Sequence, residues 1–238
     1  MPRRLSAFLP SVRPALSISI LAADLLCLDR ELARIESAGA TFVHVDIMDG
    51  HVTPTLSVGP RFVSALRTPL LTDVHLVVAR PDSVLTELAA VGADVVTVQL
   101  ETVERPLDAL RGVDRVRGRR APDQRAFRGV AIGPQTTADA ITPLLPEIEL
   151  VVVLGVELST LKPREVDEVV HKLERVRELV AGFGTLVAID GGVTLDNVER
   201  LAAARPDIVV AGSAVFSGVF ENQVAALQQQ ASAGMRMA

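Results

Sequence analysis

The chain alternates between short apolar runs and longer stretches in which apolar residues recur every three or four positions. The runs are "ALSISI" from Ala15, "FVHVDI" from Phe42, "TDVHLVV" from Thr72, "DVVTVQL" from Asp94, "RGVAI" from Arg128, "ELVVVL" from Glu149, "TLVAID" from Thr185 and "DIVVAG" from Asp207. Most are near-continuous in Val, Ile and Leu, the pattern of strands covered on both faces of a parallel sheet. Helical patterns lie between them. In "DLLCLDRELARIESAG", Leu25, Leu28, Leu32 and Ile35 share one face, with Asp24 as the predicted N-cap and Gly39 just past the end. In "REVDEVVHKLERVRELV", Val166, Val169, Val170, Leu173, Val176 and Val180 form one apolar stripe.

Three segments, "SAGATFVHV", "AVGADVVTV" and "AAARPDIVV", repeat a small-residue helix end followed by a strand. Eight alternating units predict an α/β fold closed as a (β/α)8 TIM barrel, a single domain over 15–238. A doubly wound open sheet is the alternative, but no Gly-rich nucleotide turn follows the first strand. Residues 1–14, "MPRRLSAFLPSVRP", hold an apolar stretch too short and Pro-broken for a secretion signal. They read as a disordered leader.

Composition narrows the function. A net charge of −5 argues against nucleic-acid binding by charge. Trp and Tyr are absent, which removes the stacking platforms of single-strand binders. No run approaches the length of a membrane span, so no membrane partner is expected and the predicted location is cytoplasmic. The single cysteine, Cys27, excludes an intrachain disulfide and is predicted to be a small buried hydrophobe. The Arg-rich segment 111–128 reads as a solvated helix end and loop, with a partner or anion patch as the alternative.

In such a barrel the chemistry sits where strands end and βα loops begin. His44 and Asp46 close the second strand and, two apart, share a face. His75 lies in the third strand and Asp190 ends the seventh. Two imidazoles and two carboxylates at one barrel mouth suit a borderline divalent ion, Zn²⁺, Fe²⁺, Mn²⁺ or Co²⁺. Taken singly, each has a plain reading: a strand histidine can be a hydrogen-bonded core residue, and an aspartate before Gly-Gly a turn former. Glycines add a second feature. "DGG" at Asp190–Gly192 follows the seventh strand and "AGS" at Ala211–Ser213 the eighth, the two loops that cradle phosphate in this fold.

With "SILAAD", "HVDIMDGHVTPTLSVGP", "DVHL", "GADVVTVQLE", "DGGVTLDN" and "VAGSAVF" in this order, the chain resembles the ribulose-phosphate 3-epimerases from about Leu16 to Phe216. The resemblance implies a metal-dependent isomerase that inverts the hydroxyl-bearing carbon beside the ketone of a phosphorylated pentulose. It implies metal ligation by His44, Asp46, His75 and Asp190, with Asp46 and Asp190 as the acid–base pair on opposite faces of the substrate. Ser19, Met48, His75 and Asp190 would contact substrate, and Gly191, Gly192, Gly212 and Ser213 would hold the phosphate. No organic cofactor is implied, and the expected partners are a small phosphorylated sugar and further copies of the chain in a homo-oligomer.

The chain departs from the family pattern around the substrate. A glycine-rich lid normally follows the sixth strand; here "GVELSTLKP" starts at Gly155. Val77 and Leu154 stand where the family has methionines, Gln99 where it has a histidine, and "IGPQTT" where it has an Asn-Pro-Gly-Thr turn. Lys162 is a candidate for charge that the lid no longer supplies, against a plain solvent-facing reading. His51 is expected in a loop or supporting role, and Asp49 and Gly50 in the turn. The alternatives are an epimerase for another ketose phosphate, such as a hexulose phosphate, and a non-catalytic sugar-phosphate binder.

Overall fold

The computed structural model describes residues 4–237. Eight parallel strands close into one barrel in sequence order: β1 (Ala15–Ser19), β2 (Phe42–Met48), β3 (Leu71–Val77), β4 (Val95–Gln99), β5 (Phe127–Ile132), β6 (Leu150–Leu154), β7 (Leu186–Asp190) and β8 (Ile208–Ala211). Every predicted strand is present within a residue or two. The helices are α1 (Leu28–Ser37), α2 (Pro60–Ala65), α3 (Pro81–Val91), α4 (Pro106–Val113), α5 (Val166–Val180), α6 (Val198–Ala203), α7 (Ser213–Phe216) and α8 (Phe220–Met237). Between β5 and β6 the chain forms a 3-10 stretch, Ala138–Glu147, because Pro143 and Pro146 cannot donate helical hydrogen bonds.

The apolar runs are explained by two cores. One residue of each pair along a strand points out and meets the helices: Val43, Val45, Val74, Leu76, Val151 and Val153 pack with Leu32, Leu85, Leu110 and Leu173. The other points into the barrel. At its lower end Ala15, Phe42, Leu71, Val95, Phe127, Leu150, Leu186 and Ile208 form a closed apolar layer. Both directions are apolar over most of each strand, so the alternation expected of a half-exposed sheet disappears.

The predicted leader differs. Met1–Arg3 lie outside the described residues, but Leu5–Phe8 form a 3-10 turn and Leu5 is 2% exposed. Leu5 and Phe8 pack on the lower layer, Phe8 edge-on to Phe127 with ring centroids 5.9 Å apart. A barrel needs its open bottom covered, and Leu5, Phe8 and Leu9 pack against this layer; burying Leu5 contributes about 1.5–3 kcal/mol.

Two other local readings shift. Asp24 caps a 3-10 turn, Leu25–Cys27, accepting from Leu26 N at 3.1 Å, and α1 begins only at Leu28. The tighter turn rotates Leu25 out of the stripe to 40% exposure and leaves Cys27 half-buried rather than buried. The Arg-rich segment is less solvated than expected. The Arg119 guanidinium donates to the Val63 and Leu66 carbonyls, Arg125 pairs with Glu149 at 2.6 Å, and Arg128 with Asp114 at 2.6 Å. Among the described residues no helix is long and apolar enough to cross a membrane.

Candidate active site

Above the apolar layer the inward positions turn polar. β2 and β3 pair with His44 opposite Asp73 and Asp46 opposite His75. The two-residue period of the strand then aims His44, Asp46, Asp73 and His75 at the barrel axis. Asp190 arrives from the end of β7, opposite Leu154. His44, Asp46, His75 and Asp190 each offer a ligand atom, all within 4.8 Å of one another. His44 Nε2 lies 3.1 Å from Asp46 Oδ1 and 3.6 Å from Asp190 Oδ2. His75 Nδ1 lies 3.1 Å and 3.7 Å from the same two oxygens. This mixed nitrogen and oxygen set, at one point and 1–2% exposed at the imidazoles, fits a borderline divalent cation.

The rear of the cluster is braced. His44 Nδ1 donates to Asp73 Oδ2 at 2.8 Å, which leaves Nε2 facing the other three ligand residues. Ser17 Oγ also donates to Asp73, at 3.3 Å, and Ser19 Oγ to Asp46 at 3.4 Å. Ser57 accepts from Met48 N at 2.8 Å and donates to Asp46 O at 2.7 Å, fixing the end of β2. Met48 is buried with its sulfur 3.3 Å from Thr53 Oγ1. Asp49 accepts from His51 N at 3.0 Å and Ala79 N at 2.9 Å, so it shapes the turn and ties it to β3. His51 is 77% exposed and outside the cluster.

Charge divides the two cluster carboxyls. Burial alone would raise Asp46, but the imidazoles of His44 and His75 outweigh it and hold Asp46 well below the carboxylate range. Burial raises Asp190, and repulsion from Asp46 and Asp73 adds to it against the attraction of the histidines. Burial opposes charge on His44 too, yet Asp46, Asp73 and Asp190 together push its pKa well above the usual histidine value. His75 is raised for the same reason, by Asp46 and Asp190.

Asp46, His75 and Asp190 form part of the wall of a cavity of about 310 Å³, which Gly191, Gly192, Gly212 and Ser213 also line. Gly191 has φ +83°, and a Cβ there would sit 2.8 Å from Val156 Cγ2, so the turn requires glycine. Asn197 braces it, donating to Gly192 O and accepting from Thr194 N, both at 2.8 Å. Ser213 opens the short α7.

The segment after β6 is a hairpin rather than an open loop. Val156 bridges Pro163, Glu157 N donates to Lys162 O at 2.9 Å, Leu161 N to Glu157 O at 2.7 Å and Arg164 N to Gly155 O at 2.9 Å. Leu161, at φ +55°, and Leu158 line the cavity with Leu154 and Val156. Lys162 is exposed and absent from the cavity wall. Where glycine N–H groups were expected, the cavity meets apolar side chains.

Sequence reasoning missed Asp73, Ser17, Ser57 and the two leucines, Leu158 and Leu161. Asp73 carried a usable signal, since it stands two before His75 and so faces the same way. The others depend on which loops meet in space.

The fold and this cavity define a (β/α)8 barrel with a histidine–aspartate centre at the C-terminal mouth, the place where barrels of this class carry their chemistry. The model of the "Ribulose-phosphate 3 epimerase family" matches residues 15–216. The chain belongs to the ribulose-phosphate 3-epimerase family, a family of isomerases acting on carbohydrates. It is 35% identical over 229 residues to a ribulose-phosphate 3-epimerase of Rhodobacter capsulatus, covering 91% of this chain and 95% of that protein. It is 37% identical over 225 residues to the enzyme of the same name from Mycobacterium bovis, covering 92% and 94%. A Mycobacterium tuberculosis tryptophan synthase structure shares the fold alone, with TM-score 0.64 and 16% identity over 98% of this chain and 95% of that one.

Proposed function

We propose that the chain is a metal-dependent 3-epimerase of a ketose phosphate, interconverting ribulose 5-phosphate and xylulose 5-phosphate or a close analogue. The observation that carries this reading is the pair Asp46 and Asp190. They come from strands β2 and β7 and converge on one cavity beside the two imidazoles. Two carboxyls brought to one point from separate strands can serve as a base and an acid on a substrate bound between them.

In one direction Asp46, ionised, takes the proton from the carbon beside the ketone. The electron pair moves into the carbonyl and an enediolate results. Asp190 delivers a proton to the opposite face of that carbon, inverting it. The reverse reaction exchanges the roles. A divalent ion such as Zn²⁺, Fe²⁺, Mn²⁺ or Co²⁺, held by His44, Asp46, His75 and Asp190, would stabilise the negative charge that builds on the substrate oxygens. Ser19 and Met48 position the sugar beside the carboxyls. The backbone of Gly191, Gly192, Gly212 and Ser213 receives the phosphate, which places the reacting carbon over the aspartates. No organic cofactor enters this chemistry.

The test is a panel of ketose phosphates, ribulose 5-phosphate and a hexulose 6-phosphate included, incubated with metal-loaded protein in D₂O. The expected result is loss of the proton signal beside the ketone and appearance of the 3-epimer by NMR. Asp46→Asn and Asp190→Asn should each lower turnover by roughly 10²–10⁴-fold, the usual contribution of a general acid or base. Binding without isotope exchange across the whole panel would replace the epimerase with a sugar-phosphate-binding barrel. Exchange confined to the hexulose phosphate would keep the chemistry and change the substrate.

A further inference from the structure

His75 has two ring nitrogens, and only one of them faces the cluster. Nδ1 points at Asp46 and Asp190, while Nε2 lies 2.9 Å from Gln99 Oε1 at the end of β4. Gln99 is wholly buried. An amide can turn either its oxygen or its NH₂ toward the ring, and that choice decides which ring nitrogen carries the proton.

The other end of the amide settles the choice. Gln99 Nε2 sits against the Glu101 carboxylate and 3.4 Å from the Ala131 carbonyl. Both are acceptors, so the NH₂ must face them. Glu101 is itself fixed from behind by the backbone N–H of Gly133 at 2.7 Å and by the Thr136 hydroxyl. The loop that supplies those donors is clamped in turn. Lys172 Nζ, from α5, donates to the carbonyls of Gly133, Pro134 and Thr136 at 2.7, 2.9 and 2.7 Å. One arrangement satisfies every group: amide nitrogen to Glu101, amide oxygen to the ring, proton on His75 Nε2, lone pair on Nδ1. The reversed amide would set its oxygen against the Glu101 carboxylate and the Ala131 carbonyl inside the barrel.

We propose that Gln99 is a positioning residue that holds His75 in its Nε2–H form with Nδ1 presented to the cluster, and that Glu101, braced by the loop Lys172 clamps, sets the direction of the Gln99 amide. His44, whose Nδ1 is held by Asp73, presents Nε2. The two imidazoles therefore offer different nitrogens, each selected by its own supporting acceptor. The proposal rests on the part of the functional reading that gives the cluster a divalent ion, and it is independent of the sugar.

The experiment uses zinc alone, without substrate. In zinc-loaded protein labelled with ¹⁵N at its four histidines, His75 should show a protonated Nε2 and a metal-shifted Nδ1. Gln99→Leu should weaken zinc binding, measured by competition with a chelator, by roughly 10–100-fold, the usual effect of losing such a support. The exchange Gln99→Glu/Glu101→Gln keeps an acceptor on the ring and a donor–acceptor pair behind it, so it should restore affinity to within a few-fold, whereas Gln99→Glu alone, setting two carboxylates together, should not. A proton on Nδ1 in the wild type, or unchanged zinc affinity in Gln99→Leu, or no recovery in the exchange variant, overturns the proposal. Should Gln99→Leu fail to fold, the wild-type spectrum and the exchange variant decide. Zinc binding through Nδ1 with no turnover of any ketose phosphate would leave the positioning role standing and remove the epimerase reading.

Discussion

Adding a single methyl group at Gly129 tests how tightly the barrel interior is filled below the cluster. Gly129 on β5 stands opposite Thr97 on β4, and both are buried. A Cβ on Gly129 would lie 2.3 Å from Thr97 Oγ1, 3.1 Å from Thr97 Cβ and 3.3 Å from Thr97 Cα. The 2.3 Å contact is the severe one, because the β-branched Thr97 has few side-chain rotamers to turn to; the other two fall only a few tenths of an ångström short of the optimal about 3.5–4.0 Å. Gly129→Ala must push two hydrogen-bonded strands apart, and overpacking of this kind costs about 1–3 kcal/mol. Thr97→Ala should behave differently. Its Oγ1 has no hydrogen-bond partner among the described residues. Removing that hydroxyl recovers about 1–3 kcal/mol of desolvation, against about 0.8 kcal/mol lost with the methyl group and a further cost for the cavity left behind. The single change is therefore close to neutral. Combined, the two substitutions should be less harmful than their sum by about 1–3 kcal/mol. At about 2–4 °C of Tm per kcal/mol for a chain of this size, the clash is read directly by thermal unfolding of the metal-free protein. Gly129→Ala falls by several degrees and Thr97→Ala restores most of the loss. Additivity within about 0.5 kcal/mol would show that the strands relax freely, and the packing argument would fail.

Two further outcomes follow from the structure. Leu5→Ala should destabilise the barrel by about 2–5 kcal/mol, seen as an earlier denaturation midpoint, because it uncovers the lower apolar layer; a change near zero would mean the leader does not close the barrel. Apparent zinc affinity should rise with pH. His44, charged below a pKa raised above 6.5 by Asp46, Asp73 and Asp190 against burial, must lose a proton before Nε2 binds. Affinity therefore climbs roughly tenfold per pH unit for each proton displaced and levels off once the raised pKa is passed. A chelator-competition profile that is flat from neutral pH upward would contradict this.

The barrel was legible because closure imposes one rule on every strand. Each needs apolar residues on both faces, and runs such as "ELVVVL" carry that rule locally. The cluster was half legible for a related reason. His44 and Asp46 violate the rule twice at a two-residue spacing, and His75 and Asp190 violate it at the same strand ends. Other features were not encoded nearby. Leu5 has no periodic neighbours, so its burial is visible only once the bottom of the barrel exists. Gln99 stood out only as a departure from the family pattern and Glu101 not at all, because their links to His75 and to Gly133 join β3, the end of β4 and the loop after β5. The hairpin after β6 is made by backbone bonds that almost any residues could form, which is why "GVELSTLKP" read only as an absence of glycine. Leu25 was misplaced because one turn of 3-10 helix shifts the helical phase.

That hairpin is joined to the barrel at its base, through the Arg164 N–H on the Gly155 carbonyl and the Val156–Pro163 bridge. Its tip reaches the cavity through Leu158 and Leu161, while the histidines and aspartates hang from other strands. The segment is thus an exchangeable part. Variation at the tip can re-cut the shape of the cavity with the histidines and aspartates left in place. Replacing residues 156–163 would change the outline of the cavity without changing any residue of the cluster.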